Sequence, residues 1–320
     1  MSTLRMTVIG GGSVGLGIAA SFALAGARVT LMVRSASVEP LRTQPVTVAG
    51  MLGEHRVDAG RIAVEDADHP TQAARDCDVL VVTTKAYDVA DALRSYAAPG
   101  LPGRPRAVLL MQNGLGSAEA ARDVLGPDIA VFSTAMLIGL QRHGLNHVSV
   151  NAHSGPIRAG SLLGDDAQAI APMLETAARG FLPMVHEPNI RHTILAKLLF
   201  NSCMNPTGAL IGRNYGELLE NEHSRGLIIH LADETLRVFA ASNGYRPAEN
   251  GRHYVEGTLI PVVIPRSASH RSSMVQDLDA GRRTEIDFLN GAIVRMGGEV
   301  GMDTPFHQCI VSLIHAREKL

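Results

Sequence analysis

The first half of the chain alternates short, nearly continuous apolar runs with longer stretches of helical periodicity. The apolar runs are Met6–Ile9, Arg28–Val33, Val79–Thr83 and Ala107–Met111. Between them, Val14–Ala25, Val89–Ala97 and Ala118–Leu125 carry helical patterns. A strand that is apolar on both faces has to be covered on both faces, so the alternation predicts a parallel sheet between helical layers. A later set, Ala130–Ile138, His147–Asn151 and Pro156–Gly160, is also strand-like and is expected to extend the same sheet, in part antiparallel. After Pro188 the pattern changes. Ile190–Asn205, Tyr215–Asn243, Ser273–Ala280, Glu285–Gly297 and Pro305–Glu318 all read as helices. The expected class is α/β: a mostly parallel sheet over residues 1–187, then an all-helical domain over residues 188–320.

Composition sharpens this picture without changing it. A chain of 320 residues exceeds one ordinary domain, and 46% hydrophobic against 19% charged residues is enough apolar material for a sizeable core. The formal net charge is −2 and there is no long basic run, which argues against nucleic acid or an anionic membrane as partner. Cys77, Cys203 and Cys309 lie far apart and form no CxxC, so a disulfide framework is not expected and a reducing, cytoplasmic setting is. The thirteen histidines are scattered without ligand spacing, so no metal is expected. The apolar stretch Leu16–Ala27 superficially resembles a signal core, but glycines interrupt it and a strand–turn–helix reading accounts for it. No stretch is long and apolar enough to span a bilayer. The long C-terminal helices offer a face for a second copy, so a homodimer is expected.

Gly10-Gly11-Gly12-Ser13-Val14-Gly15 follows the first strand and opens the first helix. Gly10, Gly12 and Gly15 match GxGxxG: a tight turn, a close backbone approach to a pyrophosphate, and close helix–strand packing. The free N–H groups at the helix start then favour an anion. This is the signature of a Rossmann-type dinucleotide domain. At the end of the second strand, where an acid would hold the ribose hydroxyls of NAD, stands Arg34. A cation there attracts a 2′-phosphate, which points to NADP. Gly11-Gly12-Ser13-Val14-Gly15 also fits the G-x-S-x-G elbow of α/β-hydrolases. That elbow needs earlier strands and an upstream oxyanion loop, and only ten residues precede Gly11.

The second domain carries the candidate chemistry. Lys197, Asn201 and Asn205 are spaced i, i+4, i+8 and line one stripe of an otherwise apolar helix. Buried polar groups need partners, so the stripe faces either a polar cleft or other helices. Pro206 is expected to end this helix. Ser273 with Gln276 reads as a capping box, and Thr284 with Asp287 as a second helix start. That places Glu285 at a first helical position, where the dipole favours its ionised form. Beside Lys197 it would make a usable acid–base pair. Lys85 and Asn113 follow the Val79 and Ala107 strands, at the carboxyl ends where open α/β sheets bind ligands. Read alone, Asn113-Gly114 is also an ordinary turn and Lys85 an ordinary surface charge.

Together these residues resemble the ketopantoate reductase family over nearly the whole chain. The resemblance rests on Gly10–Gly15, Thr84-Lys85-Ala86-Tyr87, Gln112-Asn113-Gly114, Lys197-Leu198-Leu199-Phe200-Asn201 through Asn205-Pro206, Ser272-Ser273-Met274-Val275-Gln276-Asp277, and Gly281-Arg282-Arg283-Thr284-Glu285-Ile286-Asp287. It implies NADPH-dependent reduction of ketopantoate to pantoate, on the way to pantothenate and coenzyme A. It implies catalytic roles for Lys197 and Glu285, and substrate contacts for Asn113, Asn201, Asn205 and Ser273. Gly10 to Gly15, Arg34, Lys85, Asn113 and Glu285 would then face the cofactor. Three departures stand out. Ile194-Leu195-Ala196 lacks the tryptophan many members carry before the lysine. Tyr215 replaces an asparagine before Gly216-Glu217-Leu218, and His307 ends the late Thr304-Pro305-Phe306 pattern. These bear on the acyl side chain of the substrate more than on the chemistry. A reductase of another small 2-oxo acid, or a dinucleotide-binding regulator without turnover, would carry much of the same pattern.

Overall fold

The computed structural model describes residues 3–97 and 104–320. The chain is a mixed α/β protein with a mostly parallel sheet and a helical C-terminal region. It forms two compact units: one reaches to Arg191 apart from Asn113–Gly116, and the other joins Asn113–Gly116 to His192–Leu320.

The first unit holds twelve described strands: β1 (Arg5–Ile9), β2 (Arg28–Val33), β3 (Val46–Gly50), β4 (His55–Val57), β5 (Ala63–Asp66), β6 (Val79–Val82), β7 (Ala107–Leu110), β8 (Ala130–Ala135), β9 (Ile138–Arg142), β10 (His147–His153), β11 (Ile157–Gly160) and β12 (Met184–His186). Eight form one sheet in the order β12-β11-β8-β7-β6-β1-β2-β5. Its neighbours run parallel except β8 with β11. The apolar runs are continuous because alternate residues serve opposite faces: Val79 and Val81 belong to one core, Leu80 and Val82 to another. Each such side chain contributes about 1.5–3 kcal/mol by leaving water.

The later strands depart from expectation. The Ala130–Ile138 run breaks after Ala135, and β9 and β10 do not extend the main sheet. They form a second sheet, β4-β3-β10-β9, with two strands that the sequence pattern did not reveal. Alternation identifies a strand but not its partner, and here β10 pairs with β3 about a hundred residues earlier. This sheet lies close to the Ser13–Leu24 helix: a side chain at Gly17 would come within 3.1 Å of Leu140.

The Ile190–Ile211 helix, which leads into the second unit, does not stop at Asn205 but runs through Pro206. Proline has no N–H to donate to the carbonyl of Ser202, four residues back. Asn290 Nδ2 takes over that carbonyl at 2.9 Å, and the Thr207 hydroxyl donates to Cys203 O at 2.7 Å. The expected Tyr215–Asn243 helix is two, Tyr215–Glu220 and Glu222–Asn243. Asn221 divides them, its side chain accepting from the N–H groups of His223 and Ser224. The Ser273–Asp279, Asn290–Glu299 and Pro305–Arg317 helices complete the bundle around Leu198, Leu231, Phe239 and Ile293. Among the described residues no helix is long and apolar enough to cross a membrane.

Candidate functional site

The glycine loop is built from steric necessity. Gly10 adopts φ 112°, and a side chain there would lie 2.6 Å from the Thr83 hydroxyl. At Gly15 a Cβ would sit 1.8 Å from the Gly10 carbonyl. Gly12 is different: nothing lies within 4 Å of where its side chain would be. Thr83 stitches the loop to β1, its hydroxyl lying 2.9 Å from Ile9 O and 3.1 Å from Gly10 O. Arg142 on β9 holds the loop from the other side, donating to Gly11 O at 2.7 Å and to Gly144 O and Leu145 O at 2.8 and 2.9 Å. Burial lowers its guanidinium below the usual value.

The Ser13–Leu24 helix starts at Gly12 with no side-chain cap and no acid in its first turn. Its leading N–H groups therefore remain available to an anion over the open face of Gly12. Two buried polar atoms at the ends of β6 and β7, Thr84 Oγ1 and Gln112 Oε1, have no hydrogen-bond partner among the described residues. The amide of Gln112 is fixed through its nitrogen, which donates to Val82 O and Thr84 O at 3.0 and 2.9 Å. Uncapped helix start, open glycine and orphaned polar atoms fit a dinucleotide. Arg34 is exposed at the end of β2 and leads the Ser35–Thr43 helix. Beside it Ser35 donates to Asp66 Oδ2 at 2.7 Å, which with a backbone bond from Asp68 lowers the Asp66 carboxyl below its ordinary range. Lys85 is half-buried before a short turn, Ala86–Asp88. Asn113 belongs to the other unit, where Gly114 at φ 83° lets Leu115 N–H reach Phe288 O at 3.1 Å. A Cβ on Gly114 would lie 2.0 Å from that same oxygen.

In the helical unit, Lys197, Asn201 and Asn205 lie on the Ile190–Ile211 helix with Leu195, Leu198, Leu199 and Cys203 buried around them. Asn201 is 8% and Asn205 5% exposed, while Lys197 keeps partial solvent access. Burial pulls the Lys197 ammonium down to about 8, against the opposing attraction of Glu285. Lys197 and Glu285 thus lie close enough to interact electrostatically. Asn205 Oδ1 accepts from the Tyr215 hydroxyl at 2.7 Å, and Tyr215 meets Phe200 edge to face at 5.3 Å. Nothing in the chain's periodicity marked Tyr215 as a partner of Asn205; the bond joins two helices.

Two local expectations are corrected. The cap of the Ser273–Asp279 helix is Ser272, which accepts from Val275 N–H at 3.3 Å and lies against Asn205 O at 3.4 Å. Ser273 is one position later and exposed, so capping does not account for it. Glu285 does not open a long helix. It precedes a three-residue turn, Ile286–Phe288, and the Asn290–Glu299 helix starts only after Leu289 breaks the backbone at φ −104°, ψ −93°. No long helix dipole therefore acts on Glu285, which is buried and interacts electrostatically with Lys197. Asn214, one residue before Tyr215, forms a capping box with Glu217. His307 is fully buried and structural. It accepts from Asn290 at Nδ1 (3.0 Å) and lies 3.1 Å from Leu231 O at Nε2, and burial lowers it to about 4, so it is neutral. Among the described residues no cluster of acidic, histidine or cysteine side chains could hold a metal ion.

Residues 6–164 match the family model described as ketopantoate reductase PanE/ApbA, and residues 189–318 match its C-terminal counterpart. A 2-dehydropantoate 2-reductase of Aquifex aeolicus is 26% identical over 317 residues, covering 98% of this chain and 97% of the relative. Among solved structures, 2-dehydropantoate 2-reductase from Geobacter metallireducens superposes with a TM-score of 0.85 at 20% identity, covering 98% of this chain and 99% of that one. A ternary structure of D-mandelate dehydrogenase with NADH and anilino(oxo)acetate superposes with a TM-score of 0.84 at 21% identity, covering 99% and 98%.

Proposed function

Since the chain belongs to the ketopantoate reductase family, we propose that it reduces ketopantoate to pantoate with NADPH, serving pantothenate and coenzyme A synthesis. An oxidoreductase with a dinucleotide-binding fold follows from the family itself. The observation that carries the proposed reaction is a lysine brought to about 8 by burial, within electrostatic reach of Glu285. Such a group is mostly ammonium at neutral pH yet gives up its proton readily, which is what a general acid needs.

The dinucleotide, when bound, supplies the hydride. The chain's own residues do the rest. Lys197 meets the negative charge that grows on the C2 carbonyl oxygen and hands that oxygen a proton. Glu285 opposes the burial penalty on Lys197 and keeps it charged. Asn201, Asn205 and Ser273 orient the hydroxyl and carboxylate ends of the substrate. Asn113 is assigned to the substrate and the cofactor, and Lys85 to the cofactor. Gly10 to Gly15 hold the pyrophosphate at an uncapped helix start. Arg34, exposed and cationic, favours a 2′-phosphate. We assign the dinucleotide to the first unit and the substrate chemistry to the second, in a cytoplasmic homodimer.

Two observations favour a variant reading. Asp66 beside Ser35 places a carboxylate near Arg34, which supports NADH as an alternative dinucleotide. Tyr215 engages Asn205, which supports a 2-oxo acid with a different side chain. The deciding experiment measures NADPH and NADH consumption with ketopantoate and with other branched 2-oxo acids. Highest kcat/KM for ketopantoate with NADPH is expected; a higher value for another acid or for NADH would replace that part of the proposal.

A further inference from the structure

The segment that carries Glu285 is held by a closed chain of hydrogen bonds whose other half is the end of the Pro305–Arg317 helix. Glu318 Oε1 accepts from the Thr284 backbone N–H at 2.7 Å and from its hydroxyl at 2.6 Å. Glu318 Oε2 lies 3.0 Å from His315 Nδ1, and His315 Nε2 lies 2.9 Å from Asp287 Oδ1. Asp287 in turn accepts from Arg283 at 3.0 Å, and its carbonyl from Arg295 at 2.9 Å. The chain therefore grips residue 284 on one side of Glu285 and residue 287 on the other.

The chemistry of the donors determines the state of the ring. An ionised carboxylate only accepts hydrogen bonds. Both ring nitrogens of His315 face carboxylates, so both must carry a proton, and the ring is an imidazolium. The groups facing it are Glu318, just past the end of its own helix, and Asp287 on the opposing turn, with Arg283 and Arg295 bonded behind Asp287. Bonds and charge from Glu318 and Asp287 raise His315 above its ordinary value, and the same contacts help hold both carboxyls below theirs.

We propose that His315, as a cation clamped between Glu318 and Asp287, is a positioning residue that holds Glu285 against Lys197. The proposal rests on the reading of Lys197 and Glu285 as the catalytic pair. Deprotonation would leave one carboxylate facing a ring lone pair and open the chain, so the clamp is present at low pH and lost as pH rises through the His315 titration.

The test reads the clamp without turnover. The chain has three lysines, Lys85, Lys197 and Lys319, so NMR of protein labelled at lysine Cε resolves Lys197, identified by its loss in Lys197→Ala. In His315→Gln, one of the two carboxylates would face an amide oxygen. Glu285 should loosen and the Lys197 midpoint should fall below about 8. Glu318→Gln should act the same way more weakly, and carries the measurement if His315→Gln fails to fold. In the wild type, histidine NMR should show His315 titrating above about 6.5, and in Glu318→Gln lower. Where turnover is measurable, kcat should drop about 10- to 100-fold in His315→Gln with NADPH affinity retained. An unmoved Lys197 midpoint, or a neutral His315 at pH 6, overturns the proposal. If Lys197 moves but no 2-oxo acid is reduced, the clamp stands and the proposed function fails.

Discussion

The half-buried lysine makes its own pH prediction. Burial lowers Lys197 from the ordinary 10.5 to about 8. The proton-donating form is the ammonium, so activity should be full below that value and lost above it. With a midpoint near 8, about 90% of the lysine is charged at pH 7 and about 10% at pH 9. A lysine left at 10.5 would still be about 97% charged at pH 9. Reduction should therefore lose roughly tenfold in kcat/KM between pH 7 and pH 9. The assay follows NADPH absorbance under limiting 2-oxo acid, with dinucleotide saturating at each pH. Lysine NMR gives the same midpoint without catalysis. Glu285→Gln removes an attraction that opposes burial, so it should move the alkaline limb to lower pH. A loss of less than twofold by pH 9, or a limb that moves upward in Glu285→Gln, would refute the assignment of Lys197 as the acid.

Three further outcomes are expected. Lys197→Ala should lower kcat by about 10²–10⁴-fold while NADPH affinity, measured by fluorescence titration, hardly changes. Arg34→Glu should weaken NADPH far more than NADH; equal losses for both would remove the basis for NADP. Asn290→Ala would strip Ser202 O and His307 Nδ1 of a buried donor and should cost about 1–3 kcal/mol, read as a lower denaturant midpoint.

How far each feature was legible follows from how local its cause is. The GxGxxG loop could be read directly, because its tightest constraint acts between residues five apart: a side chain on Gly15 collides with Gly10 O. The parallel strands showed themselves through continuous burial, and the Lys197–Asn201–Asn205 stripe through helical spacing. Other features depend on atoms brought from far along the chain. Pro206 is a stop signal in its own helix, and only Asn290, supplying the missing donor to Ser202 O, lets the helix continue. The second sheet exists because β10 meets β3, a choice that alternation cannot encode. Ser273 fits a capping box with Gln276 in the sequence, yet the backbone geometry selects Ser272 as the cap. The environment of Glu285 is likewise a product of packing, since Glu318 and His315 reach its segment from about thirty residues away. Periodicity and steric motifs act over one or two turns of chain, whereas burial and hydrogen-bond partnership belong to the folded whole.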